Sequence, residues 1–387
     1  MKALLLSATW DPRPNYSPTS RELETRKAVD TSQVWRHPSL AFIDAPTPNL
    51  KSDQVLVRVR ACGVCGSDAH CLETDAERYA LFSGASRLPT ILGHEFAGEV
   101  IALGDDVAEL KLGDRVAAES ILWCGRCVQC RSGNVNQCSR IEMVGFSSSG
   151  AFAECIAISE RHCWKLDPLE NVFATDGEIY QAGALIEPIG CAYNSLFIAG
   201  GGLLPGQTVA VYGAGPIGLG AVMLARLAGA SKIFAFDVST PRCELAKKLG
   251  ADHVGNPCEM KTPISQMLLE LTHGEGIDFQ IEAAGAASDT VPEIRKCFSE
   301  NGKMVFLGRH DSVAQVDFNP IVSKANQIIG SRGHAGHGIY DKIIKLMGSG
   351  RMPAHEMITS RFEFSAAICA VEKAIERVDG KVMVGFN

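Results

Sequence analysis

Hydrophobic and polar residues follow two different repeats along the chain, and the first is the two-residue repeat of short strands. Residues 55–60 read Val-Leu-Val-Arg-Val-Arg, and apolar stretches at 96–102 and 115–118 continue the pattern. Gly113-Asp114 supplies a turn before the last of these. Alternation with this period places one face of each strand on a core. The first part of the chain is therefore predicted to be rich in β-strands.

The pattern changes near Pro188, beyond which apolar strands alternate with helical stretches. Strands are predicted over 208–212, 232–236, 278–282 and 303–307, and helices run to about Ala228 and over 241–249. Such alternation predicts a parallel, doubly wound sheet with right-handed crossovers, and thus an α/β fold class. After residue 327 the segments are mixed and end in a predicted helix over 365–378. The polar, proline-rich segment 11–38 is expected to be a surface excursion.

Composition and charge exclude several classes of protein. The 387 residues are 46% hydrophobic and 21% charged, which is typical of a globular chain. With a net charge of −7 and no basic stripe, neither a nucleic-acid partner nor a membrane-surface role is expected. No apolar run is expected to reach the about 18 residues that span a bilayer. Fourteen cysteines without a recognisable secretion signal indicate thiols and metal sites, so the expected location is cytoplasmic.

A glycine-rich turn lies between the first strand of the alternating region and its helix. It reads Gly213-Ala214-Gly215-Pro216-Ile217-Gly218. The first glycine allows a tight turn, the second lets the backbone approach a pyrophosphate, and the third lets the helix pack on the strand. The free N–H groups of the helix N-terminus favour phosphate. We therefore predict a dinucleotide site at Gly213, Gly215, Pro216, Ile217 and Gly218; the competing interpretation is a glycine-rich turn without a ligand.

A carboxylate follows this turn at the spacing expected for the adenosine ribose. Asp237 ends the next strand, 19 residues beyond Gly218, where its oxygens can bind the ribose hydroxyls. An acidic residue there repels a 2′-phosphate, so NAD is favoured over NADP. Arg242 lies close by in the sequence and weakens that preference.

Four cysteines within 15 residues form the first candidate metal site. They are Cys124, Cys127, Cys130 and Cys138, a set that suits a closed tetrahedral zinc site. The ferredoxin type of iron–sulfur ligation places its fourth cysteine three residues on and then a proline, and this chain has neither. The four residues could also be unrelated buried cysteines or belong to a nucleic-acid-binding zinc module. Structural zinc is the prediction.

A second group of metal-binding residue types is dispersed along the chain. Cys65 follows a strand, His94-Glu95 lies in Gly-His-Glu-Phe-Ala-Gly, and Glu187-Pro188 opens the α/β region. One cysteine, one histidine and one or two carboxylates suit a catalytic zinc with an open position. A redox Cys62/Cys65 pair is the competing interpretation. The remaining cysteines are expected to be small core residues; they are Cys71, Cys155, Cys163, Cys191, Cys243, Cys258, Cys297 and Cys369.

With these motifs in place, the chain resembles the zinc-containing medium-chain dehydrogenase/reductases, in particular their sorbitol and threonine dehydrogenase branch. The zinc signature of that family, Gly-His-Glu-x2-Gly-x5-Gly-x2-Val, matches in full from Gly93 to Val107. Cys-Gly-Ser-Asp-Ala-His at 65–70, Gly-Asp-Arg-Val at 113–116, the four cysteines, Glu187-Pro188 and the glycine turn follow in family order. The resemblance covers nearly the whole chain.

The resemblance implies a fold, a set of roles and an activity. A GroES-like catalytic domain (1–188 and 328–387) is interrupted by a Rossmann NAD-binding domain (189–327). Cys65 and His94 would bind the catalytic zinc, Glu95 is similar to the third ligand, and Glu187 binds directly, through water or in alternation with Glu95. Ser67 corresponds to the hydroxyl that takes the substrate proton, and His70 to the outer end of the relay. Zinc would lower the pKa of the alcohol, and NAD would accept its hydride.

The substrate is less clearly indicated. Polyol-oxidising relatives carry an arginine near 330–338, for which Arg332 is the candidate; the segment could equally be a solvated loop. Phe146 is a pocket-lining candidate or a core aromatic. A basic cluster could instead take an anion; it comprises Arg309, His310, Arg332, His334 and His337. The long segments 11–38 and 71–88 depart from the usual family pattern and could reshape substrate access.

These motifs support three functions. The first is a zinc-dependent, NAD-linked dehydrogenase of a secondary alcohol in a polyol, cyclitol or aminocyclitol. The second is a simple-alcohol or threonine-type dehydrogenase, and the third is a non-catalytic nucleotide-binding protein. The expected assembly is a homodimer or homotetramer.

Overall fold

The computed structural model describes residues 1–309 and 313–386. The strands are Lys2–Trp10 (β1), Trp35–Asp44 (β2), Gln54–Val64 (β3), Thr90–Ile91 (β4), Glu95–Leu103 (β5), Arg115–Ala118 (β6), Ile121–Leu122 (β7), Glu142–Met143 (β8), Cys155–Ser159 (β9), Cys163–Lys165 (β10), Thr208–Tyr212 (β11), Lys232–Phe236 (β12), His253–Gly255 (β13), Ile277–Glu282 (β14), Phe298–Phe306 (β15), Gln327–Gly330 (β16), Ile358–Glu363 (β17) and Lys381–Gly385 (β18).

The α-helices connect and cover these strands. They are Ser20–Thr25 (α1), Gly66–Leu72 (α2), Val128–Arg131 (α3), Asp176–Ala184 (α4), Ile186–Tyr193 (α5), Pro216–Leu227 (α6), Thr240–Lys248 (α7), Ile264–Leu271 (α8), Ala287–Ile294 (α9), Phe318–Ser323 (α10), Ile339–Gly348 (α11) and Ala367–Ile375 (α12). A π-helix, Asn194–Ala199, continues α5, and short 3-10 turns lie at Thr31–Gln33, Val135–Gln137, Glu160–His162, Asp167–Asn171, Ala354–Met357 and Phe364–Ala366.

The second half of the chain contains a six-stranded parallel sheet in the order β13-β12-β11-β14-β15-β16. In chain order this is 3-2-1-4-5-6, the arrangement of dinucleotide-binding folds. The predicted strands 208–212 and 232–236 match the structure residue for residue. The predicted strand 303–307 belongs to the longer β15, which begins at Phe298.

The first half forms a mostly antiparallel sheet to which the C-terminus returns. Its order is β10-β6-β5-β3-β18-β17, with β9 also paired to β3. β18 pairs with β3 through Val382–Val64 and its neighbours. The last residues of the chain therefore lie beside the segment that leads to Cys65. The predicted helix 365–378 is confined to α12.

Two expectations from the sequence need correction. The first is that no apolar stretch is long enough to span a bilayer. The stretch Asp176–Ala199 is 24 residues long, with a mean hydropathy of 1.2, so by length and composition it could span a membrane. Within the fold 72% of its apolar window is buried. Gly220 of α6 lies opposite Ile189 of α5, where a Cβ would be 3.3 Å from its Cα. A helix with such burial belongs to the core of a globular fold.

The segment 11–38 is not simply a surface excursion. Ala28, Val34 and Trp35 are buried. The backbone N–H of Thr31 donates to Gly84 at 3.0 Å, and the Arg13 guanidinium pairs with acidic residues of 75–77. Segments 11–38 and 71–88 therefore pack on each other through backbone hydrogen bonds and ion pairs.

Candidate active site

The glycine turn lies at the carboxyl end of β11 and opens α6. Gly213 has a φ of +95°, and a Cβ there would lie 2.6 Å from the backbone N of Ala284. A Cβ on Gly218 would lie 1.8 Å from the carbonyl oxygen of Gly213. A Cβ on Gly215 would lie 3.7 Å from Arg242 Nη1, an ordinary van der Waals contact, so the backbone is not crowded there. Pro216 occupies the first turn of α6, where its missing N–H costs no hydrogen bond.

Asp237 at the end of β12 is tied to this turn. Its Oδ2 accepts a hydrogen bond from the backbone N–H of Ala214 at 2.7 Å, and Oδ1 accepts one from Ser239 at 2.8 Å. Arg242 lies with Nη1 4.0 Å from Asp237 Oδ2 and donates through Nε to the carbonyl of Asp379. Burial lowers the pKa of Arg242. The carboxylate and the guanidinium therefore share the edge of the predicted ribose site.

The four cysteines 124, 127, 130 and 138 converge, with all sulfurs within 4.8 Å of one another. The Sγ atoms of Cys127 and Cys130 are 3.5 Å apart, and those of Cys127 and Cys138 are 3.9 Å apart. A tetrahedron with Zn–S bonds of about 2.3 Å has sulfurs about 3.8 Å apart, so the residues fit zinc. Backbone hydrogen bonds lower the pKa of Cys127 to about 5 and that of Cys124 to about 7. By contrast, burial and the hydrogen bond with Cys127 raise the pKa of Cys130 to about 12.

The dispersed group also converges, because β3 and β5 are neighbours in one sheet. Cys65 caps α2 directly after β3, and His94-Glu95 opens β5. Ligand atoms of Cys65, His94 and Glu95 lie within 4.8 Å of one another. A Cβ on Gly63, the partner of Glu95 across the strands, would be 2.2 Å from Glu95 Oε2. Oε1 of Glu95 has no hydrogen-bond partner in the described parts of the chain, which fits a site for a cation.

Asp68 holds the two metal-binding segments together. It is fully buried, and its Oδ2 accepts a hydrogen bond from the backbone N–H of Cys65 at 3.0 Å. Its Oδ1 accepts a hydrogen bond from the backbone N–H of Gly93 at 3.4 Å and lies 3.5 Å from His94 Nδ1. Burial lowers the pKa of His94, but Asp68 and Cys65 outweigh it and raise that pKa well above its usual range.

Glu95 is also bound to a buried lysine on the last strand. Lys381 Nζ donates to Glu95 Oε2 at 2.5 Å and to the carbonyl of Val64 at 3.0 Å. Both side chains are at most 1% exposed. Burial raises the pKa of Glu95, and the positive charge of Lys381 only partly offsets this rise. The ion pair fixes the carboxylate between the cluster and β18.

Replacing Lys381 with methionine is expected to destabilise the fold by about 3–5 kcal/mol, because it leaves Glu95 buried without its counter-charge. Lys373→Met is the control, since its pair with Glu376 is more exposed and such pairs contribute about 0–1 kcal/mol. Urea unfolding of the two variants measures the difference. Equal midpoints for both would contradict the assignment of a buried ion pair.

Glu187 lies in the first turn of α5, and among the described residues the ligand atoms within 4.8 Å of one another are those of Cys65, His94 and Glu95, without Glu187. Its Oε1 accepts a hydrogen bond from Ser120 Oγ at 2.9 Å and lies 3.0 Å from His334 Nε2. Burial raises the pKa of Glu187, but the charge and hydrogen bond of His334 outweigh it and lower that pKa to about 2. Glu187 also interacts electrostatically with His94 and Glu95.

The two relay candidates both lie on α2, which Cys65 caps. Ser67 is half-buried in the first turn and His70 follows one turn later. His70 Nδ1 lies 3.0 Å from Glu73 Oε2, and Arg377 Nη2 donates to both oxygens of Glu73 at 3.0 and 2.7 Å. The imidazole is thus held by a carboxylate that the C-terminal segment anchors.

The residues considered for substrate binding are dispersed. Arg332 has an exposed side chain, and its carbonyl accepts hydrogen bonds from Asn136 and Asn194. The predicted anion-binding cluster is wrong for His334, which is fully buried against Glu187. His310 lies outside the described residues. Phe146 is 1% exposed and packs between His94 and Phe82, so it is a core aromatic.

The cysteines outside the metal clusters also need one correction. Cys258 and Cys369 are exposed, so they are not core residues as predicted. Cys62 is fully buried, and burial raises its pKa well above the usual range. A buried thiol with a raised pKa is unsuited to redox exchange.

Sequence reasoning missed Asp68, Ser120, Lys381, Glu73 and Arg377, and it misplaced His334. Asp68 had a local signal, because it lies three residues beyond Cys65 at the capping-box position. The others meet the site only through long-range packing, and their neighbours in the sequence give no sign of it.

Family models match both halves of the chain. Residues 51–168 match the alcohol dehydrogenase GroES-like domain, and residues 216–349 match the zinc-binding dehydrogenase domain. Together they cover more than half of the chain, on the two sheets described above. The chain belongs to the zinc-dependent medium-chain alcohol dehydrogenase family. The predicted family, fold class and enzyme class are confirmed, with zinc and a nicotinamide dinucleotide as cofactors.

Particular relatives share most of its length. Scyllo-inosose 3-dehydrogenase of Thermotoga maritima is 37% identical over 90% of this chain and 91% of its own. An L-threonine 3-dehydrogenase of Caldanaerobacter subterraneus is 32% identical over 87% of this chain and 92% of its own. A solved Thermotoga maritima structure assigned as an alcohol dehydrogenase has a TM-score of 0.94 at 34% identity, with 99% of each chain covered. A short-chain alcohol dehydrogenase of E. coli CFT073, solved with NADH, has a TM-score of 0.79 at 25% identity, covering 100% and 99%.

Proposed function

We propose that this enzyme oxidises a ring secondary alcohol of a cyclitol, with NAD as the hydride acceptor. The observation that carries the proposal is the convergence of Cys65, His94 and Glu95 into one cluster. The hydroxyl residue Ser67 follows Cys65 by two positions. The choice of a cyclitol is supported by the similarity to scyllo-inosose 3-dehydrogenase over nearly the whole of both chains.

In this proposal Cys65, His94, Glu95 and Glu187 hold the catalytic zinc, and the four cysteines 124–138 hold a structural one. Zinc, when bound, supplies a Lewis acid that lowers the pKa of the substrate alcohol. Asp68 lies beside His94, and Lys381 holds Oε2 of Glu95, whose Oε1 has no hydrogen-bond partner among the described residues. The protein groups thus present sulfur, nitrogen and carboxylate on a fixed frame.

Ser67 and His70 move the alcohol proton outward. The Ser67 hydroxyl can accept that proton and donate its own toward the nicotinamide ribose. His70 Nδ1 lies 3.0 Å from Glu73 Oε2 and 3.5 Å from Arg377 Nη2, and Nε2 is the ring nitrogen proposed to receive the proton. Glu73 and Arg377 keep the ring in this orientation.

The cofactor is held at the glycine turn, with the ribose hydroxyls on Asp237. The backbone at Gly215, beside the Arg242 guanidinium, faces the pyrophosphate, and Pro216, Ile217 and Gly218 present the N-terminus of α6 to it. Arg242 borders the ribose and reduces the discrimination against NADP that Asp237 provides.

Replacing Asp237 with alanine is expected to lower kcat/KM for NAD about 10- to 100-fold, because hydrogen bonds to a charged group contribute about 1.5–3 kcal/mol. The value for NADP is expected to fall less or to rise. Asp252→Ala is the control, since Asp252 lies at the opposite end of β12 and pairs with Arg226. An unchanged NAD/NADP ratio in Asp237→Ala would contradict the ribose assignment.

The substrate proposal is tested with the zinc-loaded enzyme and NAD. NADH formation is measured against cyclitols, aminocyclitols, acyclic polyols, L-threonine and simple alcohols. Turnover confined to cyclitols and related ring alcohols would support the proposal. Preference for L-threonine or for simple alcohols would replace it with the second candidate function, which the relative from Caldanaerobacter keeps open. Arg332→Ala in the same assay tests whether that side chain binds substrate hydroxyls.

The same chain is proposed to form a homodimer through the edge of its parallel sheet. β16 is one of the two edge strands of that sheet, and α10, which precedes it in the chain, exposes Phe318 and Val322 at 69% and 77%. An edge strand with exposed apolar neighbours can pair with its own copy across a two-fold axis. A cytoplasmic location and the absence of nucleic-acid and membrane partners stay predictions from the sequence.

Light scattering tests the dimer. Phe318→Glu together with Val322→Glu is expected to convert a dimer into a monomer, because charge is placed in an apolar contact. Leu112→Glu is the control, since Leu112 is also exposed (64%) but lies just before β6 of the antiparallel sheet. This variant is expected to leave the mass unchanged. A parent protein that is already monomeric would refute the assembly.

A further inference from the structure

A buried group of three polar side chains lies behind the catalytic cluster, and neither the motifs nor the family signature includes it as a unit. His334 is 0% exposed, Ser120 is 4% exposed and Glu187 is 8% exposed. Ser120 and Glu187 are 67 residues apart in the sequence, and Ser120 and His334 are 214 apart. Only the fold brings them together.

Both neighbours bind the same oxygen of Glu187. Ser120 Oγ donates to Oε1 at 2.9 Å, His334 Nε2 lies 3.0 Å from Oε1, and Ser120 Oγ and His334 Nε2 are 2.9 Å apart. A carboxylate held by two groups on one oxygen has a fixed orientation, and its second oxygen remains available to a cation. His334 Nδ1 has no hydrogen-bond partner within the described residues, so Glu187 and Ser120 are the ring's polar contacts there.

The fold makes specific room for the imidazole. A Cβ at Gly190, three residues beyond Glu187 on α5, would lie 2.8 Å from His334 Cβ. Glycine at 190 therefore lets the histidine reach the carboxylate of the same helix. The ring also packs 5.4 Å from Tyr340, whose hydroxyl donates to the carbonyl of Ala118.

The loop that carries His334 is itself anchored. Asn194 Nδ2 donates to the carbonyls of Arg332 and Gly333 at 3.1 and 2.9 Å. Ala335 is buried with Ile121 and Val135 beside the four-cysteine lobe. Backbone contacts on one side and apolar packing on the other thus define the position of the imidazole.

We propose that His334, with Ser120, is a positioning residue that fixes Glu187 as a metal-binding carboxylate and thereby sets the zinc affinity of the Cys65–His94–Glu95 cluster. Glu95 has one oxygen bound to Lys381, so a second carboxylate of fixed orientation completes the oxygen ligands of the site. The inference rests on the proposed function only in taking that cluster to be a zinc site.

The experiment measures zinc affinity at each site by stepwise competition with a chromophoric chelator. The parent is expected to hold two zinc ions per chain, and Cys65→Ser identifies the phase that comes from the catalytic cluster. His334→Ala is expected to weaken that phase about 10- to 100-fold, the usual effect of losing a partner of a metal ligand. The phase from the four-cysteine lobe is expected to be unchanged.

Three further variants keep the test decisive if His334→Ala folds poorly. His334→Gln retains a donor and is expected to restore most of the affinity, whereas Ser120→Ala is expected to lose part of it. His253→Gln, which changes a ring stacked on Phe234 in the other sheet, is expected to leave both phases unchanged.

Two results separate this inference from the proposed function. Unchanged affinity in folded His334→Ala and Ser120→Ala would overturn the inference while leaving the dehydrogenase intact. The converse result is weakened zinc binding in these variants while the parent protein oxidises no alcohol. That result would support the inference and refute the proposed function. A parent with zinc only at the four cysteines would overturn both.

Discussion

Cys65→Ser is expected to abolish alcohol oxidation, lowering kcat/KM by at least about 10³-fold. A zinc ion held by this cluster would contribute several kcal/mol to stabilising the charge on the substrate oxygen, and about 1.4 kcal/mol corresponds to a factor of ten in rate. The thiol of Cys65 supplies the sulfur of the cluster with His94 and Glu95. Serine cannot replace it, because its hydroxyl is a far weaker zinc ligand than a thiolate.

The measurement combines steady-state kinetics with zinc content. Zinc is expected to fall from two ions per chain to one, while NAD still binds at the glycine turn. Cys155→Ser is the matched control, since Cys155 is also partly buried but lies on β9 outside both clusters. A Cys65→Ser variant that keeps two zinc ions and full turnover would refute the assignment.

Cys127→Ser is expected to cause the largest loss of stability, because a structural zinc site contributes its binding free energy to folding. We expect the variant to lose one zinc and to unfold at a markedly lower temperature, with the catalytic cluster still occupied in the folded fraction. Cys258→Ser, which changes an exposed cysteine, is the control. Thermal unfolding with and without added chelator measures the difference, and matching curves for both variants would contradict a structural site.

Acid is expected to act on the same lobe. In the folded chain the pKa of Cys127 is lowered from 9.0 to about 5 and that of Cys124 to about 7, whereas that of Cys130 is raised to about 12, so Cys130 is protonated both folded and unfolded below pH 9. A group with a lower pKa when folded contributes stability above its unfolded pKa and loses it as the pH falls through the folded value. Between about pH 9 and 5 the lobe should therefore lose stability, and protons should displace its zinc in that range. Zinc release measured against pH checks the sign.

Much of the catalytic site was predictable because its parts are local motifs. The four cysteines 124–138 lie within one short stretch, so their spacing alone indicates a tetrahedral site. The glycine turn, its strand and its helix are consecutive, and Asp237 follows after a fixed length of helix. Such features need few long-range contacts: the turn joins β11 to α6, and the four sulfurs lie within 4.8 Å of one another.

The partners of the metal-binding residues could not be predicted in this way. Lys381 meets Glu95 across 286 residues of sequence, and His334 meets Ser120 across 214. Arg377 reaches Glu73 from the C-terminal segment. No local spacing relates these pairs, and buried polar side chains carry no periodic signal that distinguishes them from surface ones.

The sequence by itself therefore determined the fold class, the position of the glycine turn, the four-cysteine lobe and, through the family pattern, the candidate residues of the dispersed cluster. The tertiary structure alone decided that Lys381 binds the carboxylate of Glu95 and that Ser120 and His334 bind that of Glu187. Residue type and local spacing define chemistry within one element, whereas the pairing of β3 with β5 and β18, and the packing of α5 on the loop at 331–338, bring distant side chains together. Burial then requires each of these polar groups to find a partner, because an unpaired charge in the core is strongly unfavourable.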